Sequence, residues 1–256
     1  MQSWVPKSEF YWSFNAVSWY LSLQLAMYFA FPYIRKMINR NAKKKRIGLS
    51  ALLTIIIQIV ISSLLISQSA RISQMPLTIS DDLTFYLTYI CPLYRLGDFY
   101  LGCIVGYFFV HKRDLCINNA IVYSLLEIAI VLFLFPLQII YNKQIGIIGN
   151  DAFRNDLLYT FQVAFFIYII ALGKGMVSKY IFSSTILVEL GNISGYCFLF
   201  HQLVIVVMRR IYIYGTNMGN YMLAIMSFVL TVSLAYIWKY GMTKWQVWHE
   251  CKRGKI

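Results

Sequence analysis

Acid is what this chain has least of. Its 256 residues include 10 Asp and Glu against 23 Lys and Arg, with only 3 His, for a formal charge of +13. The five cysteines, Cys91, Cys103, Cys116, Cys197 and Cys251, form no CxxC pair and no metal-ligand spacing. That argues against a zinc ribbon or dithiol centre and makes them small apolar packing residues, with no metal expected. No GxGxxG or P-loop pattern is present to cradle phosphates. HExxH and HxxxxD are absent, and no Ser-His-Asp order can be read. The opening "MQSWVPKSEFYW" lacks a basic region followed by an apolar core and a small-residue cleavage site, so it does not read as a secretory signal. Low-complexity tracts and internal repeats are missing too.

Apolar residues are abundant. They make up 59% of the chain, where a soluble domain averages about 45–50%, and the mean hydropathy is +0.62. They fall in long runs without alternation, which excludes a membrane barrel built of ~10-residue alternating strands. Helices satisfy their own backbone polar groups and are the spanning element that remains. The expected fold is all-α, a polytopic membrane bundle of about seven helices in one domain. Their expected ranges are about 13–34, 47–67, 88–110, 118–138, 157–173, 185–207 and 219–240.

The basic residues flank these runs and form no single soluble face, so lipid headgroups are their expected partners and nucleic acid is not. Sixteen of them lie on one side: Arg35 to Arg46, Lys112 and Arg113, Lys174 and Lys179, and the tail from Lys239 to Lys255. The other seven include the adjacent Arg209 and Arg210, which run against the pattern. The positive-inside rule therefore places the N-terminus outside and the C-terminus in the cytoplasm. Two polar stretches, 68–87 and 139–156, become external loops in this topology.

Polar groups inside a membrane segment are costly unless paired, and they mark functional candidates. On the first helix Gln24, Tyr28 and Phe31 share a face, Trp19 and Ser22 lie on a neighbouring stripe, and Pro32 closes the helix. In "YRLGDFYLGCIVGYFF" the residues Arg95, Asp98, Gly102 and Gly106 form one stripe. Arg95 and Asp98 can pair, and the two glycines offer a close approach for another backbone. In "LGNISGYCFLFHQLVIVV" Ser194 and His201 share a face with Gly191. The matching depth of Arg95, Asp98 and His201 suggests a common polar cavity near the external leaflet. Each group also has a plainer reading: helix-helix hydrogen bonding, an interfacial Trp, or a structural ion pair. Glu127, with no motif around it, is expected to face the bundle interior.

Taken together and in this order, the three stretches resemble the acyltransferase 3 family of integral membrane O-acyltransferases. Trp19, Leu21, Ser22, Tyr28 and Pro32 match its W-x-L-S helix ending in Y-x-x-x-P. Arg95, Asp98, Phe99 and Gly102 match R-x-x-[DE]-F-x-x-G. Leu190, Gly191, Ile193, Ser194, Leu199 and His201 match a late L-G-x-I-S-x-x-x-x-L-x-H helix. The resemblance implies transfer of an acyl group, often acetyl from acetyl-CoA, to a hydroxyl of a cell-surface or exopolysaccharide glycan at a bacterial inner membrane. It implies that Arg95 and Asp98 organise the site, that His201 and Ser194 line it, and that Gln24, Tyr28 and Trp19 help hold substrate. Two departures stand out. Gln24 occupies a position where many members carry Glu. The family's histidine base sits in the first of about ten helices, a region without counterpart here. The chain thus reads as the C-terminal two-thirds of such an enzyme, through a truncated reading frame, a misplaced start or a split gene. The first two imply a product inactive as it stands, and the third a separately encoded N-terminal fragment as an expected partner. No catalytic residue is assigned. The alternative is a non-enzymatic polysaccharide export or flipping component, or a small transporter, which needs no acyl donor.

Overall fold

The computed structural model describes residues 2–13, 15, 17–73, 83–112, 119–134, 151–215 and 219–253. Every regular element among them is helical. Seven long helices are α1 (Ser18–Lys43), α2 (Ile47–Ser73), α3 (Pro92–Lys112), α4 (Ala120–Ala129), α5 (Asp151–Leu172), α6 (Thr185–Gly215) and α7 (Asn220–Lys252). Among the described residues four segments are long and apolar enough to cross a membrane: Ile47–Leu64, Pro92–His111, Thr185–Ile211 and Asn220–Lys252. Shorter apolar helices run over Ala120–Leu132 and Gln162–Leu172. Helix α1 has the length, at 26 residues, but its Ser, Gln, Tyr and Arg content keeps it outside the spanning group.

The expected boundaries shift in places. Pro32 does not close the first helix; α1 continues through it to Lys43. A proline removes one backbone donor and crowds the preceding turn, yet the buried stripe Leu23, Met27, Ile34 and Ile38 extends past it on both sides. Packing of that stripe holds the helix together. Residues 68–73 and 151–156, expected in external loops, belong to α2 and α5, while 74–82 and 135–150 lie outside the described residues.

The chain divides into two compact units. One comprises Met1–Ser13 and Trp19–Ser183, the other Phe14–Ser18 and Ser184–Ile256. In the first, α3 packs against both α2 and α5. Ile34 and Ile38 of α1 meet Tyr100 and Ile104 of α3 in a buried cluster that takes in Ala51 of α2. The Tyr100 hydroxyl donates to Ser50 Oγ at 2.8 Å and accepts from Asn41 Nδ2 at 3.4 Å, which ties three helices at one end. A second cluster gathers Tyr11, Tyr86 and Ile90 with Trp19, Phe85 and Tyr89. Its polar groups are paired: Tyr86 donates to Ser3 O at 3.0 Å, and Ser3 Oγ donates to Ser22 Oγ at 3.0 Å. Ser22, a polar oddity in an apolar helix, thereby anchors the segment that precedes it. Burial pushes the Tyr86 phenol up to about 12, and the nearby Cys91 adds to the effect.

Glu127 faces inward as expected and is fully buried. It accepts from the backbone N–H of Val177 at 2.9 Å and of Ser178 at 3.2 Å, while Ser124 Oγ accepts from Met176 N at 3.0 Å. One face of α4 thus satisfies three consecutive donors at the start of the π-helical turn Val177–Phe182, groups that a helix N-terminus leaves unpaired.

The second unit is an antiparallel pair. Lys239 of α7 bonds Glu189 of α6 at 3.0 Å, and near the other end Arg209 and Asn220 line one groove. Ser227, Thr231 and Ala235 are buried along α7 at a spacing of four, a small-residue stripe that allows close packing. Asn15 Nδ2 donates to Leu199 O at 2.9 Å.

Candidate functional site

Asp98 is the hub of a polar network inside the first unit. Its Oδ2 accepts from Arg95 Nη1 at 2.9 Å, the pair that the i, i+3 spacing on α3 predicts. Its Oδ1 accepts from Gln58 Nε2 of α2 at 2.9 Å and from Thr160 Oγ1 of α5 at 3.2 Å. Three helices therefore spend polar groups on one carboxylate. Hydrogen bonds to a charged acceptor are among the stronger ones, at about 1.5–3 kcal/mol each. Beside them, Ser62 and the Tyr94 hydroxyl bond at 2.6 Å and are buried.

Arg95 is held on more than one side. Its Nε donates to Tyr89 O at 2.8 Å, and its guanidinium lies 4.8 Å from the centre of the Tyr89 ring. Trp19 packs on that same ring at 5.4 Å, and Phe85 stacks on it at 5.1 Å. The side chains of Arg95 and Asp98 are 17% and 23% exposed, so the pair is neither sealed nor open. The arrangement fixes a positive charge in an aromatic setting of low polarity. Such a preorganised cation can stabilise negative charge that develops on a reacting oxygen.

The other expected residues divide between the two units. Trp19 joins Arg95 through Tyr89. Gln24 and Tyr28 lie off the buried stripe of α1 and enter no hydrogen bond of this network, and Tyr28 is 66% exposed. Gly102 and Gly106 depart from expectation: a Cβ at either would meet nothing within 4 Å, so among the described residues no neighbouring backbone approaches them. On α3 the glycine in close contact is Gly97, where a Cβ would lie 2.6 Å from Gln58 Nε2. Sequence reasoning passed over Gln58, Thr160 and Tyr89. Gln58 alone had a signal, as the one amide in the apolar run "LTIIIQIVISS".

Ser194 and His201 belong to the second unit, where both line a groove of about 960 Å³ between α6 and α7 with Arg209, Asn220, Ser227 and Thr231. Ser194 Oγ donates to Gly191 O at 2.7 Å. His201 Nδ1 lies 2.7 Å from Phe198 O and 3.3 Å from Cys197 O. A carbonyl oxygen only accepts, so Nδ1 donates, and in the neutral ring Nε2 carries the lone pair. Arg209, the residue that broke the topological pattern, thus lines a polar end of this groove.

Comparison with known proteins bears on both units. A family model of the acyltransferase 3 type, described as an acyltransferase domain, matches residues 2–239. No curated protein and no solved structure matches the chain.

Proposed function

This chain belongs to the acyltransferase 3 family of membrane acyltransferases, and from that premise we propose that it takes part in O-acetyl transfer from acetyl-CoA to a hydroxyl of a cell-surface or exopolysaccharide glycan. The proposed setting is a bacterial inner membrane, with the N-terminus outside and the C-terminus in the cytoplasm. In the reaction the hydroxyl oxygen attacks the thioester carbonyl. A C–O bond forms, the C–S bond breaks, the hydroxyl proton passes to a base, and the thiol leaves with a proton. Two demands follow. A sugar hydroxyl is a poor nucleophile and needs its proton removed in the transition state. The carbonyl oxygen becomes negative and needs a positive partner already in place.

Arg95 meets the second demand, and its fixation by Asp98, Tyr89 and Trp19 is the observation that carries the reading. Asp98, engaged by donors from α2, α3 and α5, acts as the anchor that aims Arg95. His201 presents Nε2 as an acceptor suited to a sugar hydroxyl, and Ser194 beside it supplies a further polar contact. Gln24 and Tyr28 offer orienting hydrogen bonds from α1, since an amide can hold a hydroxyl but cannot take its proton.

The test is the ester-linked acetate on surface glycan, measured with and without the gene. Expected is loss of acetate on deletion and its return with the wild-type gene. Arg95→Ala should leave acetate at the deletion level while the protein remains in the membrane fraction. Wild-type acetylation by that variant overturns the assignment, and glycan that stays inside the cell unmodified on deletion favours an export component.

A further inference from the structure

A second groove lies in the first unit, away from the Asp98 network along α3. It is lined by Arg35 and Asn39 of α1 and by Cys103, Tyr107 and His111 of α3, and it measures about 390 Å³. That volume falls in the range of small-molecule pockets, about 300–1,000 Å³. Arg35 and Asn39 stand one helical turn apart, as do Tyr107 and His111, so each helix offers an adjacent pair along the groove. Gly106 also lines it, and the open space above its Cα keeps the groove wide.

The lining chemistry is one-sided. It contains an arginine, an amide and a histidine and no carboxylate. The sequence around it continues that bias through Lys36, Arg40, Lys43, Lys44, Lys45 and Arg46. An arginine fork matches the oxygens of a phosphate. The His111 ring stacks on Tyr107 with centres 4.2 Å apart and planes 20° from parallel. Its Nδ1 is 3.0 Å from Tyr107 O, which fixes the ring in place. Stacked face to face, the two rings cover each other's inner sides and leave an outer aromatic face beside the cation, a pairing suited to a ligand that carries both phosphate and a planar base that extends the stack. A phospholipid headgroup would satisfy Arg35 but has no ring to lay on that surface.

We propose that this groove binds the phosphate-bearing nucleotide part of the acyl donor, with the phosphate on Arg35 and Asn39 and the base against Tyr107 and His111. The inference rests on the donor reading given above. In the proposed topology the groove opens beside the turn that faces the cytoplasm, where acyl-CoA is made.

The experiment is equilibrium binding of coenzyme A to the purified full chain in neutral lipid nanodiscs. Wild-type protein should bind, and Arg35→Gln should weaken binding about tenfold, the loss expected for one charge-assisted contact. Asn39→Ala and His111→Ala should each weaken it about threefold or more. Lys45→Gln, a cation of the same cluster outside the groove, should stay within about twofold, as a solvent-exposed charge contributes little. If wild-type protein binds no coenzyme A, the donor reading fails and this inference with it. If it binds and the Arg35, Asn39 and His111 variants bind equally well, the groove assignment alone is overturned. Equal losses for Arg35→Gln and Lys45→Gln overturn it in favour of diffuse basic attraction. Repeating the titration in nanodiscs containing phosphatidylglycerol separates the remaining source: abolition of coenzyme A binding by that lipid assigns the groove to headgroups and overturns the inference.

Discussion

Arg95 depends on contacts that no other cation can reproduce. It reaches Asp98 with one nitrogen and Tyr89 O with another while lying over the Tyr89 ring. A lysine offers a point charge without that fork, so Arg95→Lys should lower acyl transfer nearly as far as Arg95→Ala, roughly 100-fold or more if it stabilises the oxyanion. Transfer of labelled acetate in isolated membranes measures this. Gly97 acts one step removed. A Cβ there displaces Gln58 and breaks its bond to Asp98. Gly97→Ala and Gln58→Ala should therefore reduce activity to a similar degree, and the double variant should be no worse than either alone. Additive losses would show that the two act separately. The pair Arg95–Asp98 was legible in the sequence because helical geometry fixes what lies three residues away. Gln58 and Thr160 were not, since they reach Asp98 from 40 and 62 residues away in sequence. No local periodicity records which helix becomes a neighbour.

At the scale of elements, the π-helical turn Val177–Phe182 depends on a neighbour for its start. Its first donors are satisfied by Glu127 and Ser124, and Gly175 leaves room for the carboxyl, because a Cβ there would overlap it. Glu127→Ala leaves buried N–H groups unpaired, at about 1–3 kcal/mol, and Gly175→Ala drives the carboxyl away from the same donors. Both should lower the midpoint of thermal unfolding in detergent, whereas Glu9→Ala, on the surface, should not. That Glu127 points inward could be read from the cost of placing a carboxylate in hydrocarbon. Its partners could not, because backbone N–H groups leave no mark in a sequence. The glycines carry the same lesson in reverse. Spacing suggested Gly102 and Gly106 as contact points, and the contact fell on Gly97, which has no small partner four residues away. Hydropathy placed the helices well and misjudged their ends where tertiary packing decides, as at Pro32.

For the molecule as a whole, the distribution of cations makes a prediction about sidedness. In a variant retaining only Cys251, which is exposed near the end of α7, a membrane-impermeant maleimide should label inverted vesicles and spare intact cells. Labelling in intact cells would reverse the proposed orientation. The same cations bear on how the bundle is assembled. Helix α1 ends at Lys43 and α2 begins at Ile47, with Lys45 in the left-handed region at φ 55° between them. Three basic residues thus form a reversal too short to let either helix move far without the other. The first falls outside the strongly apolar group, while the second has a mean hydropathy of 2.3 over Ile47–Leu64. A reversal this short couples the two helices mechanically, so any tilt or shift of α2 is passed on to the segment that carries Trp19, Gln24 and Tyr28.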